Sequence, residues 1–173
     1  MNKLLKYSLC AIGLIPLPAL ADGYLGVNLG YFTDGQDAMV ATQFGGVLAK
    51  AGNLSHCLEG EVLWTRASEG GVHLDLVPVM INYRLRSDLS PDFAVEAGGG
   101  VGISFNQLSY GSFDDSDNAF AFQFFGGVLY RVSQNVGLYG GVRYLNIQKT
   151  TLAGISDNVG DDASIEVGVR FGF

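Results

Sequence analysis

The chain has 173 residues, with 10 Lys+Arg against 17 Asp+Glu, a net charge of −7, 25 Gly and 4 Pro. The acidic balance argues against a nucleic-acid binder, which needs a basic footprint. Abundant Gly without a collagen period or a Pro excess is unusual for an ordinary globular domain.

The chain opens MNKLLKYSLCAIGLIPLPALA. Lys3 and Lys6 give a positive start, residues 9–18 are apolar, and Ala19-Leu20-Ala21 is an A-x-A site. This is the pattern of a secretory signal peptide, residues 1–21, cleaved before Asp22. The apolar run is shorter than the roughly 20 residues of a membrane-spanning helix. Cys10 follows Leu9 and lies too early in the run for a lipoprotein site. Removing 21 of the 173 residues leaves 152, one domain by size. The loss of Lys3 and Lys6 leaves 8 basic residues against 17 acidic ones, a balance of −9. Only Cys57 then remains, so no internal disulfide forms, and a lone thiol reads as a small buried hydrophobe.

Beyond residue 22 no segment has a helical period. Alternation of period two marks strands with two different faces. It predicts eight strands, over 23–32, 39–50, 54–65, 72–86, 92–106, 118–132, 136–148 and 162–173. Several exceed the roughly 9–11 residues that a tilted strand needs to cross a bilayer. Pro78 falls inside the fourth strand and, lacking an N–H, predicts a bulge there. Short connections at 51–53, 87–91 and 133–135 alternate with more polar ones at 33–38, 66–71, 107–117 and 149–161. That layout is an antiparallel up-and-down transmembrane β-barrel over 22–173, with its short turns in the periplasm. An even strand number places both termini on the same side.

The faces differ sharply. In 92–106 one face carries Phe93, Val95, Val101, Ile103 and Phe105, and the other Glu96, Gly98, Gly100, Gly102 and Ser104. An eight-stranded lumen is just wide enough to be filled by side chains. The Gly-rich face therefore points inward and the bulky face meets lipid. By the same rule the C-terminal IEVGVRFGF turns Phe171 and Phe173 to lipid, and Glu166 and Arg170 inward. Tyr24, Phe44, Trp64, Tyr83, Phe93, Phe105, Phe120, Tyr130, Tyr144 and Phe173 fall towards strand ends, as an interfacial girdle would.

Inward parity collects Glu59, Glu61, Glu96 and Glu166 with Arg84, Arg131, Arg143 and Arg170. Unpaired charges in a narrow interior are costly, so a paired network that plugs the lumen is expected. The turns suggest Arg84 with Glu96, Glu96 with Arg131, and Arg143 with Glu166. Glu59 and Glu61 would then reach Arg143 or Arg170. Phe-Gly-Gly-Val-Leu occurs twice, at 44–48 and 125–129, which reads as two strands meeting similar steric demands.

VPVMINYRLRSDLSPDFAVEAGGGVGISF and GGVLYRVSQNVGLYGGVRYLNI resemble the OmpA-like and opacity-porin-like outer-membrane β-barrels. The resemblance covers the whole chain after residue 21. It implies a Gram-negative outer-membrane protein, in contact with membrane lipid and lipopolysaccharide. It also implies insertion by the barrel-assembly machinery, with the terminal aromatics Phe171 and Phe173 as part of the signal. OmpA carries a peptidoglycan-binding domain after its barrel, and no such role is expected here.

Little in the sequence points to catalysis. Lipid A deacylases resemble the chain in size and carry a His-x-Ser pair on a late strand. Tyr144-Leu145-Asn146-Ile147-Gln148, at the matching place, has neither residue, and a nucleophile needs a base within reach. His56 and His73 are expected at opposite ends of the barrel. In Ser55-His56-Cys57 neighbouring side chains diverge. No zinc spacing occurs, and no cofactor is expected. The external connections are acidic, with Asp34, Asp37, Glu69, Asp75, Asp114, Asp115, Asp117, Asp157, Asp161 and Asp162 against Arg66 and Lys149. Asp114, Asp115 and Asp117 form a candidate weak Ca²⁺ or Mg²⁺ site shared with lipopolysaccharide phosphates. They lack the Gly and terminal Glu of an EF-hand, and solvated acidic loops are the plainer reading. The expectation is a monomeric, non-enzymatic barrel with a structural or surface-interaction role. A lipid A-modifying enzyme and a small diffusion pore are the alternatives.

Overall fold

Alternating side-chain size becomes a ladder of long antiparallel strands. They are β1 (Ala21–Phe32), β2 (Ala38–Ala51), β3 (Leu54–Glu69), β4 (Val72–Asp88), β5 (Phe93–Tyr110), β6 (Phe113–Arg131), β7 (Val136–Ile147) and β10 (Gly160–Gly172). They close in the order β1-β10-β7-β6-β5-β4-β3-β2, an eight-stranded up-and-down barrel. A separate hairpin, β8 (Thr150–Leu152) with β9 (Ile155–Asp157), lies in the last connection. The computed structural model describes residues 21–33, 37–69, 71–111, 113–148, 150–152, 155–157 and 160–173. Residues 1–20 of the expected signal peptide, together with Asp34 and Lys149, lie outside them.

The seam is closed by β1 and β10, which pair from Tyr24↔Gly172 to Phe32↔Ser164. The start of β1, the end of β10 and the reversals between β2 and β3, β4 and β5, and β6 and β7 lie at one end, here the turn end. The other end is the loop end. There the structure corrects two expectations. The segments 66–71 and 107–117, expected as polar connections outside the strands, are largely strand. β3 and β4 stay paired out to Glu69↔Val72, and β5 and β6 out to Tyr110↔Phe113. Gly71 (φ 84°) and Gly111 (φ 58°) supply the left-handed backbone for these reversals. Beyond the bilayer a strand no longer needs an apolar face, so polar composition hid the strand.

Pro78 makes no bulge. β4 pairs with β5 straight through Pro78↔Ser104. On the other side the β3–β4 ladder is interrupted between Val62↔Val79 and Thr65↔Leu76 without a change of register. The missing N–H is absorbed as a gap in one ladder. A register shift occurs instead in β2, between Val47↔Cys57 and Ala49↔His56, near the turn end.

The outer face is a continuous apolar belt, with Leu29, Ile81, Val101, Phe124, Val142, Ile165 and Val167 each more than half exposed. Such a surface is unstable in water and suited to hydrocarbon. Tyr24 departs from the expected girdle. It is 5 % exposed and points into the lumen, because even-numbered β1 residues share the inward face with Asn28.

Inward glycines set how large side chains lie. Gly98, Gly100 and Gly102 of β5 stand opposite Arg84, Asn82 and Met80 of β4. A Cβ on Gly100 would come within 1.9 Å of Asn82 Oδ1, and one on Gly102 within 2.8 Å of Met80 Sδ. The β4 side chains therefore lie flat across β5 and reach the middle of the lumen.

Candidate functional site

The filled lumen is the site that the fold builds. Seven of the eight charged residues assigned inward, Glu59, Glu61, Arg84, Glu96, Arg143, Glu166 and Arg170, are each 4 % exposed or less. They form two linked groups. In the first, nearer the turn end, Arg84 bridges Glu59 at 2.8 Å and Glu96 at 2.6 Å. Arg170 Nη1 donates to Glu96 Oε1 at 2.6 Å from across the barrel. In the second, Arg143 binds Glu61 and, at 3.1 Å, Glu166.

Four carboxylates meet only three guanidiniums here, and neutral donors make up the difference. Tyr24 donates its hydroxyl to Glu59 at 2.5 Å, and Asn82 Nδ2 donates to Glu59 at 2.9 Å. Gln43 and Gln123 donate to Glu61 at 2.7 and 3.0 Å. Asn28 donates to Glu166 at 3.1 Å. Gln123 also donates to Asn82 Oδ1 at 2.8 Å, joining the two groups. Aromatic faces cover the cations. The Arg84 guanidinium lies 4.5 Å from the Phe125 ring centre, and that of Arg170 lies 4.7 Å from Tyr139 and 5.3 Å from Tyr24.

Several expected pairings differ in detail. Arg84 does meet Glu96, but diagonally, since Arg84 is opposite Gly98 and Glu96 opposite Arg86. Arg143 meets Glu166 in the same diagonal way. Glu61 reaches Arg143, whereas Glu59 takes Arg84. Arg131 is a correction. It has inward parity but ends β6 at the turn end, with its side chain 27 % exposed. It pairs with Asp88 and donates to the Pro91 carbonyl at 2.9 Å. Glu96 finds Arg170 in its place. Parity gives a face but not a depth, and depth is what separates Arg131 from the other arginines.

A second section lies towards the loop end. Phe32, Met39, Ala41, Leu63, Leu76, Met80, Ala119, Ala121, Leu145 and Ile147 form one buried cluster, with Leu74 packed against it. All have inward parity, so the loop-end part of the lumen is largely apolar, with Thr65, Ser104, Asn106 and Ser164 as the buried polar side chains beside the cluster. The charge-based reading missed this section as well as the neutral donors. The signal was present: in Val62-Leu63-Trp64 and Val79-Met80-Ile81 both parities are apolar. Towards the turn end a smaller cluster of Ala94, Leu129 and Tyr139 abuts the charged groups.

The remaining candidates are dispersed. Asp114, Asp115 and Asp117 lie on β6, paired across the ladder with Ser109, Leu108 and Asn106. Asp114 points to the face opposite Asp115 and Asp117, so the three are not gathered round one ion. Among the described residues no three His, Cys, Asp or Glu side chains are placed to hold a metal. His56 faces outward and bonds to the Tyr83 hydroxyl at 2.5 Å, while Cys57 is buried inward. His73 bonds to Ser68 at the other end. At the seam the Phe173 N–H donates to the Gly23 carbonyl at 2.9 Å. The Phe173 ring occupies the place where a Gly23 side chain would be, 2.6 Å from its Cβ position. Phe171 is half exposed beside it, paired with Leu25.

The profile of a family described as "Outer membrane protein beta-barrel domain" matches residues 7–173. No curated protein matches the chain. Among solved structures, the N-terminal β-barrel domain of Pseudomonas aeruginosa OprF is similar at a TM-score of 0.60 and 10 % identity, covering 89 % of this chain and 98 % of that one. Neisserial surface protein A is similar at 0.60 and 15 %, covering 88 % and 95 %. The outer membrane enzyme PagL is similar at 0.52 and 13 %, covering 86 % and 98 %. At these identities the likeness concerns the fold.

Proposed function

Because the chain belongs to the outer membrane protein β-barrel domain family, we propose that it is a closed, non-catalytic barrel of the outer membrane with a structural or surface-interaction role. The observation that carries this reading is the occupied interior. Among the described residues, charged side chains bonded across the lumen and a largely apolar loop-end section fill the interior, whereas water-filled porins use about 16–18 strands. Catalysis has no counterpart of this kind. His56 and His73 stand at opposite ends, and no His or Ser occurs in Tyr144–Gln148 of β7 and its exit.

In this reading the signal peptide is cleaved before Asp22, and the turn end with both termini faces the periplasm. The loop end carries Asp37, Asp75, Asp114, Asp115, Asp117, Asp161 and Asp162 against Arg66 among the described residues. It would project past the lipopolysaccharide headgroups on the paired extensions of β3 to β6. Phe171 and Phe173 would serve as the signal to the barrel-assembly machinery, since the last residue also completes the seam over Gly23.

Two measurements test the proposal together. Folded protein in planar bilayers is expected to show no steady conductance, and porin-like steps would overturn the closed reading. Mass spectra of lipid A from cells with and without the protein are expected to match. A change in acyl chains would replace the proposal with an enzymatic one.

A further inference from the structure

The two sections of the lumen differ in what they do to an ion. An ion entering the charged section meets carboxylates, guanidiniums and amides that can replace part of its hydration shell, as charged and carbonyl-lined filters do. In the apolar section it meets few such groups: Thr65, Ser104, Asn106 and Ser164 are the buried polar side chains level with the cluster, and the Thr65 and Ser104 hydroxyls already donate, to the Ala38 carbonyl and to Asn106 Oδ1. Leu63, Met39, Met80, Leu145 and Ile147 are each 2 % exposed or less. The cluster draws on β1, β2, β3, β4, β6 and β7, six of the eight barrel strands. The inward positions of β5 at this level are Gly102, Ser104 and Asn106, with Met80 lying across Gly102 and Asn106 opposite Leu76. Gly30 of β1 is covered by Met39, whose Cε is 2.5 Å from where a Cβ would sit. The apolar layer thus reaches round most of the circumference, with methionines laid over the glycine gaps. The turn-end cluster of Ala94, Leu129 and Tyr139 involves only three neighbouring strands, β5, β6 and β7.

We propose that the apolar section, and not the ion-pair network, is the barrier that keeps ions from crossing the barrel. The inference rests on the closed-barrel reading and says which part of the interior closes it. The physical cause is desolvation. An ion in a narrow apolar layer loses its hydration shell without replacement, and such a layer stays dry. The network has a different task. It neutralises the polar half of the lumen and ties strands together across it, while the apolar layer shields it from loop-end water and so strengthens each pair. Rearranging Arg143 between Glu61 and Glu166, or Glu96 between Arg84 and Arg170, would leave the barrier in place.

The test is ion conductance of purified protein in planar bilayers, restricted to variants that keep the gel migration of the folded barrel. Wild type, Glu61→Gln and Glu96→Gln are expected to be equally silent. Leu63→Ser/Met80→Ser is expected to conduct at least roughly tenfold above the wild-type leak, because hydroxyl groups and added space admit water. Met39→Ser/Met80→Ser is the second variant should the first not fold, with the same expectation. Conduction by a Gln variant while the serine variants stay silent would overturn the inference, as would silence of both serine variants. Conduction by the wild type would defeat the closed-barrel reading itself, a distinguishable failure.

Discussion

The charged and apolar sections of the lumen share one barrel and one inward parity, yet they fill it by opposite means. The charged section satisfies every carboxylate through named partners. Glu96 has two arginines, and Glu59, Glu61 and Glu166 each have one arginine and at least one neutral donor. The apolar section needs only volume, and methionine and leucine supply it against glycine and alanine. Burial of each large apolar side chain stabilises by about 1.5–3 kcal/mol. A buried ion pair gains little over an apolar replacement, but breaking one is costly. Specific partners thus make the charged half intolerant of single changes, and shape does the same for the apolar half by a gentler rule.

Arg143→Met strikes the charged half hardest. It leaves Glu61 and Glu166 buried without their cation, so a loss of about 3–5 kcal/mol is expected in denaturant unfolding of the folded barrel. Because Arg143 serves two carboxylates, adding Glu166→Leu should recover only part of the loss. The triple change with Glu61→Gln should recover most of it. Strictly additive losses across this series would show that the pairs contribute independently of one another.

Leu63→Ala tests the apolar half. The lost transfer energy and the cavity should cost about 2–5 kcal/mol. That loss should be insensitive to salt and pH, in contrast to any loss in the charged half. An equal pH dependence for Leu63→Ala and Arg143→Met would erase the distinction between the sections.

Gly100→Ala probes the surface on which the charged half is laid. Its Cβ would fall 1.9 Å from Asn82 Oδ1 and 2.6 Å from the Ile81 carbonyl oxygen, whereas a Cβ on Gly140 meets nothing within 4 Å. Overpacking at Gly100 should cost about 1–3 kcal/mol, with Gly140→Ala near neutral in the same unfolding assay. Equal stability of the two variants would show that Asn82 is not held by the β5 surface.

Arg131→Ala should have the smallest effect. Its pair with Asp88 is part exposed at the rim, where ion pairs contribute about 0–1 kcal/mol. A loss as large as that of Arg143→Met would place Arg131 inside the network after all.

Much of this was legible in the chain. Period-two alternation fixed the number of barrel strands, and Gly-rich inward faces separated lumen from lipid. The sign and parity of Glu59, Glu61, Arg84, Glu96, Arg143, Glu166 and Arg170 brought together the residues that meet in the lumen. The acids of 107–117 give the composition of a loop where two strands in fact continue in register. Gln43, Gln123, Asn28 and Asn82 share the inward parity and carry no formal charge, so a balance of charges does not reveal them as partners of the carboxylates.

The repeated Phe-Gly-Gly-Val-Leu marks the boundary between the two kinds of information. Sequence alone determined that both copies are strand, since each lies inside a longer segment of period-two alternation without any helical period. The five residues by themselves do not say which way they face. Phe44 is turned outward and lies over Gly60, with its ring 2.3 Å from where a Cβ would be. Phe125 is turned inward, against Gly98 and under the Arg84 guanidinium. The two copies therefore meet opposite demands, contrary to the reading of their identity. A shift of one residue in register exchanges the faces of a strand. Register is set by pairing with neighbours, Phe44 with Gly60 and Phe125 with Gly98, and those contacts exist only once the barrel has closed.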